Sequence, residues 1–180
     1  ARLGRPTRCV CALSIPVVHA SSTRRRTFSK GYGLAGCRIG YALGAAEIIS
    51  AFDKIRNHFG VGRISQAAAL AALADQAYLQ EVRERVRAGR ATLCEIARAH
   101  GMTPLPSATN FVTMECGGDG TLARLVLAEL LERNVFVRMP GAAPLDRCIR
   151  VSVSSDADLE VFRAALGPAL DAARRRSEPL

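Results

Sequence analysis

Ten consecutive residues, Thr27-Phe28-Ser29-Lys30-Gly31-Tyr32-Gly33-Leu34-Ala35-Gly36, restrict this chain more than any other segment. Gly31, Gly33 and Gly36 rule out a stable helix there, because glycine gives up the most backbone freedom on ordering. The same residues let a backbone turn sharply and bring its N–H groups close to an anion. Thr27 and Ser29 place hydroxyls just before the amine of Lys30, and Arg38 follows eight residues later. Lys30 and Lys54 are the only lysines among 25 basic residues, the other 23 being arginine. A primary amine condenses with an aldehyde; a guanidinium cannot, because it keeps its proton at any usable pH. The Arg38 fork suits a phosphate, and the two hydroxyls add neutral donors. A ligand with an aldehyde at one end and a phosphate at the other would meet a complementary group at each. A Gly-rich surface turn with a solvated lysine has the same composition, so spacing alone leaves both readings open.

The net charge of +9 suggests a nucleic-acid or membrane partner until it is located. Residues 1–26 carry six arginines and no acid, and residues 174–176 are Arg-Arg-Arg. Residues 27–173 hold 16 basic and 15 acidic side chains, a net of +1. The basicity therefore belongs to the ends, and a near-neutral core with no nucleic-acid motif argues against DNA or RNA. With 49% hydrophobic and 23% charged residues the chain reads as globular, and no apolar run nears the ~18 residues of a membrane span. The six cysteines, at 9, 11, 37, 94, 116 and 148, form no pair of CxxC knuckles. Reduced cytoplasmic thiols and no metal are expected; the lone Cys9-Arg8-flanked CxC with Cys11 is weak support for a metal.

Residues 1–26 read as an atypical leader, without ordered structure or as a transit peptide, around one short run from Leu13 to Val18 that Pro16 interrupts. After the glycine loop a strand is expected over Cys37–Leu43. Helices follow over Glu47–Phe59, with Ile48, Phe52 and Ile55 on one face, over Ser65–Leu79, Ala-rich and buried on most sides, and over Leu79–His100, closed by Gly101. Beyond them lies an α+β pattern. Strands are expected near Asn110–Glu115, Val135–Arg138 and Cys148–Val153. Helices are expected over Thr121–Arg133 and after Ser154-Ser155-Asp156.

Residues 27–41, Thr-Phe-Ser-Lys-Gly-Tyr-Gly-Leu-Ala-Gly-Cys-Arg-Ile-Gly-Tyr, closely resemble the cofactor-lysine motif of fold-type-I aminotransferases of classes I and II. They are most similar to the histidinol-phosphate aminotransferase branch. The resemblance continues through His58-Phe59-Gly60-Val61 and Gln66–Leu73, where the family has an interfacial helix, and extends over roughly residues 26–172. It implies an α/β chain comprising the C-terminal part of such a transferase. Residues 27–78 would be the end of the large, cofactor-binding domain, residues 79–175 a small α+β domain and residues 176–180 a tail. It further implies that Lys30 carries pyridoxal 5'-phosphate and shuttles the proton, while Arg38 with Thr27 or Ser29 binds the cofactor phosphate. Arg150, in Arg-Val-Ser-Val-Ser, is similar to the arginine that clamps the substrate's acidic group. Alternation sets it on the face opposite Val151 and Val153, although Arg147 lies close enough to be confused with it. Asn110 matches an Asn-Phe bordering the active site, and a turn-forming role fits it equally well. His58 reads as structural.

The family implies a small-molecule amino donor, with histidinol phosphate foremost, a 2-oxo acid acceptor, and a homodimer in the complete enzyme. A general amino-acid aminotransferase or a decarboxylase acting on an amino-acid phosphate stays open. A complete member is much longer, and its first half would supply the carboxylate that pairs with the pyridine nitrogen. No such segment is recognisable here, and residues 1–25 resemble a shifted reading frame or a truncated gene. The isolated chain is therefore expected to turn over poorly, and an inactive fragment that serves only as a packing or interaction domain is the alternative.

Overall fold

The computed structural model describes residues 24–55 and 60–177. The Cys9 and Cys11 pair, the Leu13–Val18 run, His58 and Phe59, and the end of the tail lie outside the described residues. The chain divides into two compact units, Ala1–Glu81 and Val82–Leu180.

In the first unit, β1 (Arg24–Thr27) pairs antiparallel with β2 (Gly40–Leu43), setting Arg24 opposite Leu43 and Thr27 opposite Gly40. Arg24–Arg26, grouped by composition with the leader, instead begin this hairpin. The expected strand from Cys37 starts late, because Ala35–Cys37 form a 3-10 turn and Arg38 is left-handed. Helix α1 (Ala46–Asp53) stops short of the expected Phe59, with Lys54 and Ile55 bonded to carbonyls three residues back. Helix α2 (Arg63–Ala74) is also shorter than expected, and α3 (Gln76–Ala99) starts earlier. Asp75 sets this division: its carboxylate accepts from the Tyr78 N–H at 3.0 Å, satisfying a first-turn donor that a continuous helix would have paired internally.

The apolar faces expected in this unit are open. Ala69 is the one buried residue of α2, while Ile64 is 86% and Leu70 59% exposed. On α1 Phe52 is likewise exposed, and Ile55 just beyond it is 82% exposed. Composition reports what a face is able to bury, and these faces have no cover within the described residues.

The second unit has a conventional core. Strands β3 (Thr103–Pro104), β4 (Phe111–Glu115) and β5 (Cys148–Ser152) form an antiparallel sheet in that order. Val112 and Met114 face inward opposite Val151 and Ile149, so period-two alternation presents one apolar face. Helices α3, α4 (Gly120–Glu132) and α5 (Asp156–Ser177) bury Leu93, Ile96, Val126, Leu130, Leu166 and Leu170 in the same cluster. Each such side chain contributes roughly 1.5–3 kcal/mol relative to exposure. Val82 and Val86, in the first half of α3, are only half-buried.

One expected strand is lost. Val135–Arg138 contributes only an isolated bridge from Arg138 to Arg150. Its first residue is spent on closing α4. The Asn134 N–H donates to Leu131 and the Val135 N–H to Leu130, with Asn134 left-handed at φ 59°. This two-bond arrangement satisfies the last helical carbonyls. Gly101 and Met102 close α3 by the same pattern, on Arg98 and Ala97. β3, unforeseen in the sequence, is a two-residue edge strand whose Pro104 lacks an N–H. Among the described residues no helix is long and apolar enough to cross a membrane.

Candidate active site

The glycine-rich segment is the loop of the β1–β2 hairpin. Phe28 N–H donates to the Ile39 carbonyl at 3.2 Å, carrying the ladder one step past Thr27, and the chain then turns back through Gly33 N–H on Lys30 O and Leu34 N–H on Phe28 O. Phe28 anchors the loop: it is buried and packs on Tyr32 and Tyr41, with ring centroids 4.9 and 5.9 Å away. Gly33 has φ 68°, a conformation that side chains disfavour. Gly31 lies so near Leu79 that a Cβ would stand 3.2 Å from its methyl.

The Thr27 hydroxyl accepts from the Ser29 N–H at 3.1 Å and donates to the Ser29 hydroxyl at 2.9 Å. The Thr27 and Ser29 hydroxyls, either of which was expected beside Arg38, thus bond each other next to Lys30. Lys30 is exposed, and no acceptor or carboxylate among the described residues holds its amine. Arg38 is also exposed and sits at φ 48°, a left-handed conformation costing roughly 1–2 kcal/mol outside glycine. One of its N–H groups donates to Ala35 O at 2.9 Å. Its four other guanidinium donors meet no acceptor among the described residues. An amine without a partner among the described residues, a hydroxyl pair and an exposed guanidinium are the donor set that an aldehyde-bearing phosphate ester requires, so the loop's chemistry fits such a cofactor.

The second set of groups lies on the outward face of the β3–β4–β5 sheet. Arg150, half-buried on β5, is paired in register with Thr113 and bridged to Arg138 by two backbone hydrogen bonds, 3.1 and 2.6 Å long. Residues opposite each other in an antiparallel pair project to one side, so Arg138 and Arg150 share a face. Both line a groove of about 330 Å³ that also includes Ser152, Ser154, Phe136 and Asp158. The Asp158 carboxyl is held below the usual carboxylate range, first by the Ser154 hydroxyl and then by that of Ser155. Arg147 is committed elsewhere, to Glu115 at 2.9 Å, whereas Arg150 meets no carboxylate among the described residues. Its guanidinium carbon sits 4.8 Å from the Phe111 ring centroid.

Asn110 is half-buried, and its backbone carbonyl accepts from the Val153 N–H at 2.9 Å. It leads out of a loop tied by Ser107 and Thr109, whose hydroxyls both bond the Phe111 carbonyl, and by Arg90, which donates to Thr109 O at 2.8 Å. Arg138 is the group that sequence reasoning missed. A Val-Phe-Val-Arg run read as a strand, and only the bridge reveals which strand it meets. Among the described residues no His, Cys, Asp and Glu group could hold a metal ion. The Cys116 thiol is pushed up to about 12 by burial, which makes it a packing group.

Residues 24–166 match the family model of aminotransferases of class I and II. The match spans both sets of groups, and the chain belongs to that family. Within it, histidinol-phosphate aminotransferase 1 of Cupriavidus pinatubonensis is 42% identical over 145 residues, 81% of this chain and 39% of that protein. The histidinol-phosphate aminotransferase of Geotalea daltonii is 39% identical over 141 residues, 78% of this chain and 40% of its own length. Among solved structures, histidinol-phosphate aminotransferase from Sinorhizobium meliloti in complex with pyridoxal-5'-phosphate superposes with a TM-score of 0.79. It is 52% identical, and the match takes in 83% of this chain and 41% of that one. The chain thus spans about two-fifths of the relatives it matches.

Proposed function

We propose that this chain supplies the lysine-bearing and arginine-bearing parts of a pyridoxal-phosphate-dependent aminotransferase. It would act on an amino donor with an anionic handle, histidinol phosphate foremost, and on a 2-oxo acid acceptor. Residues 27–78 serve as the end of the cofactor-binding domain and residues 79–175 as the small domain. The observation that carries the reading is the hairpin loop, where an amine without a partner among the described residues stands next to two mutually bonded hydroxyls. The relatives' names support the donor, and the two arginines on one sheet face suit a phosphate dianion or a carboxylate.

Bound pyridoxal phosphate supplies an aldehyde carbon and a ring able to accept electron density. Thr27, Ser29 and Arg38 offer the donors that hold its phosphate, and Lys30 offers the amine that holds its other end. Lys30 Nζ is also the mobile base: it takes a proton from the donor's carbon and returns it at a neighbouring position. Arg150, with Arg138 alongside, orients the donor by its anionic group. Asn110 borders that group, its carbonyl fixing the strand from which Arg150 projects.

A homodimer in the complete enzyme accords with the open apolar face of α2, where Ile64 and Leu70 are exposed. A cytoplasmic site of action is part of this reading, and no nucleic acid is assigned as partner.

Two lysines make the test direct. The chain is incubated with pyridoxal phosphate, reduced with borohydride and digested. The pyridoxyl label is expected on Lys30, with Lys54 near background, and Lys30→Ala loses it. Equal labelling of both lysines would leave the chain as a packing unit without a cofactor.

A further inference from the structure

The assignment of Arg150 as the anion clamp raises the question of what holds its guanidinium in place before an anion arrives. An arginine side chain has four rotatable bonds, and an unheld one loses affinity to the ordering it must undergo. Carboxylates are the usual restraint, but among the described residues none reaches Arg150. The nearby acid on the same face, Glu115, is taken by Arg147 at 2.9 Å. Arg138, on the same side of the bridge, repels it.

What does touch the Arg150 guanidinium is an aromatic ring. Arg150 pairs with Thr113, so Phe111 stands two residues along β4, diagonal to Arg150 on the same outward face. The guanidinium carbon lies 4.8 Å from the ring centroid, well within range of cation–π attraction. A ring differs from a carboxylate in one respect that matters here: it attracts the charge without supplying a lone-pair acceptor. The N–H donors of Arg150 are left for an incoming anion, whereas an acidic partner would occupy them and have to be displaced. Phe111 is itself well fixed. Its carbonyl accepts from Ser107 Oγ at 2.6 Å and from Thr109 Oγ1 at 3.2 Å, and the Thr109 carbonyl is held by Arg90.

The geometry points to Phe111 as a positioning residue for Arg150: its ring pre-orients the guanidinium toward the substrate's anionic group while leaving its donors open. This rests on the reading of Arg150 as the anion clamp, and it assigns Phe111 an effect on anion affinity alone.

The test uses the 180-residue chain with labelled arginine side chains and inorganic phosphate as the probe, binding at this face being read from the Arg138 and Arg150 Nε–H resonances and so kept apart from binding at Arg38. The Arg150 Nε–H resonance, identified by its loss in Arg150→Gln, should be shifted by the ring current of Phe111. Phe111→Leu removes that shift and weakens phosphate binding about 5- to 10-fold, the range expected from cation–π strength. Phe111→Tyr, which keeps the ring, restores both. If Phe111→Leu does not fold, as judged by circular dichroism, Phe111→Met fills the space without a π face and is expected to behave as Leu. Unchanged phosphate affinity at this face in a folded Phe111→Leu or Phe111→Met, with Arg150→Gln still abolishing the Arg138 response, overturns the positioning role alone. A phosphate response at the Arg138 resonance that survives Arg150→Gln unaltered overturns the clamp itself, and the role of Phe111 falls with it.

Discussion

Single residues decide whether the lysine loop can exist, and Gly40 decides it more sharply than the glycines within the loop. A Cβ at Gly40 would lie 2.7 Å from the Arg26 carbonyl oxygen, a backbone atom that moves only if the strands part. Gly40→Ala should therefore open the hairpin beside Thr27, at a cost of about 1–3 kcal/mol. Hydrogen exchange reads this at one position: the Phe28 amide, bonded to Ile39 O, should exchange at least about tenfold faster. Unchanged exchange would mean the strands accommodate the methyl. At this scale the sequence was most readable where chemistry is local. Lys30, Thr27, Ser29 and Arg38 belong to one glycine-rich run, so the set could be read as a single motif. Arg138 was unreadable because no local motif marks what its run meets, and only the bridge to Arg150 brings the two together.

At the scale of elements, periodicity found the helices and end chemistry moved their borders. Asp75 cuts what apolar spacing runs together, because a short carboxylate that can cap competes with continuation of the helix. Val135 drops out of an expected strand because the turn that closes α4 claims its N–H. Packing between elements left a sparser trace. Gly89 lies inside α3, where glycine costs about 1 kcal/mol against alanine, yet it is buried and a Cβ there would stand 2.5 Å from Val153 Cγ1. The helix needs the missing methyl in order to lie this close to the chain after β5. Gly89→Ala should thus destabilise the protein by about 1–2 kcal/mol, the overpacking loss exceeding the propensity gain. In a Val153→Ala background the clash is gone and the same change should stabilise. Urea midpoints of the four proteins give the sign directly, and a gain from Gly89→Ala in the parent chain would refute the close packing.

Across the whole molecule, burial is unevenly shared. Every member of the hydrophobic cluster, from Leu93 to Ala173, belongs to the second unit, while the first unit buries only Phe28 and Ala69 among its described residues. Hydrophobic burial is the main term offsetting chain entropy, so stability should divide along the same line. The chain spans about two-fifths of the relatives it matches, and the side chains of Ile55, Ile64 and Leu70 are uncovered among the described residues. Sequence patterning could not reveal this, since an apolar stripe looks the same whether its cover is present or not. A polypeptide of residues 76–180 keeps α3 with its sheet and should unfold cooperatively, protecting the amides of β4 and β5. A polypeptide of residues 24–75 should show no cooperative transition. In the full chain, brief proteolysis should then cut before residue 76 and leave a resistant C-terminal product. Cleavage that begins within β4, α4 or β5 instead would mean that the buried cluster does not set the order in which this molecule comes apart.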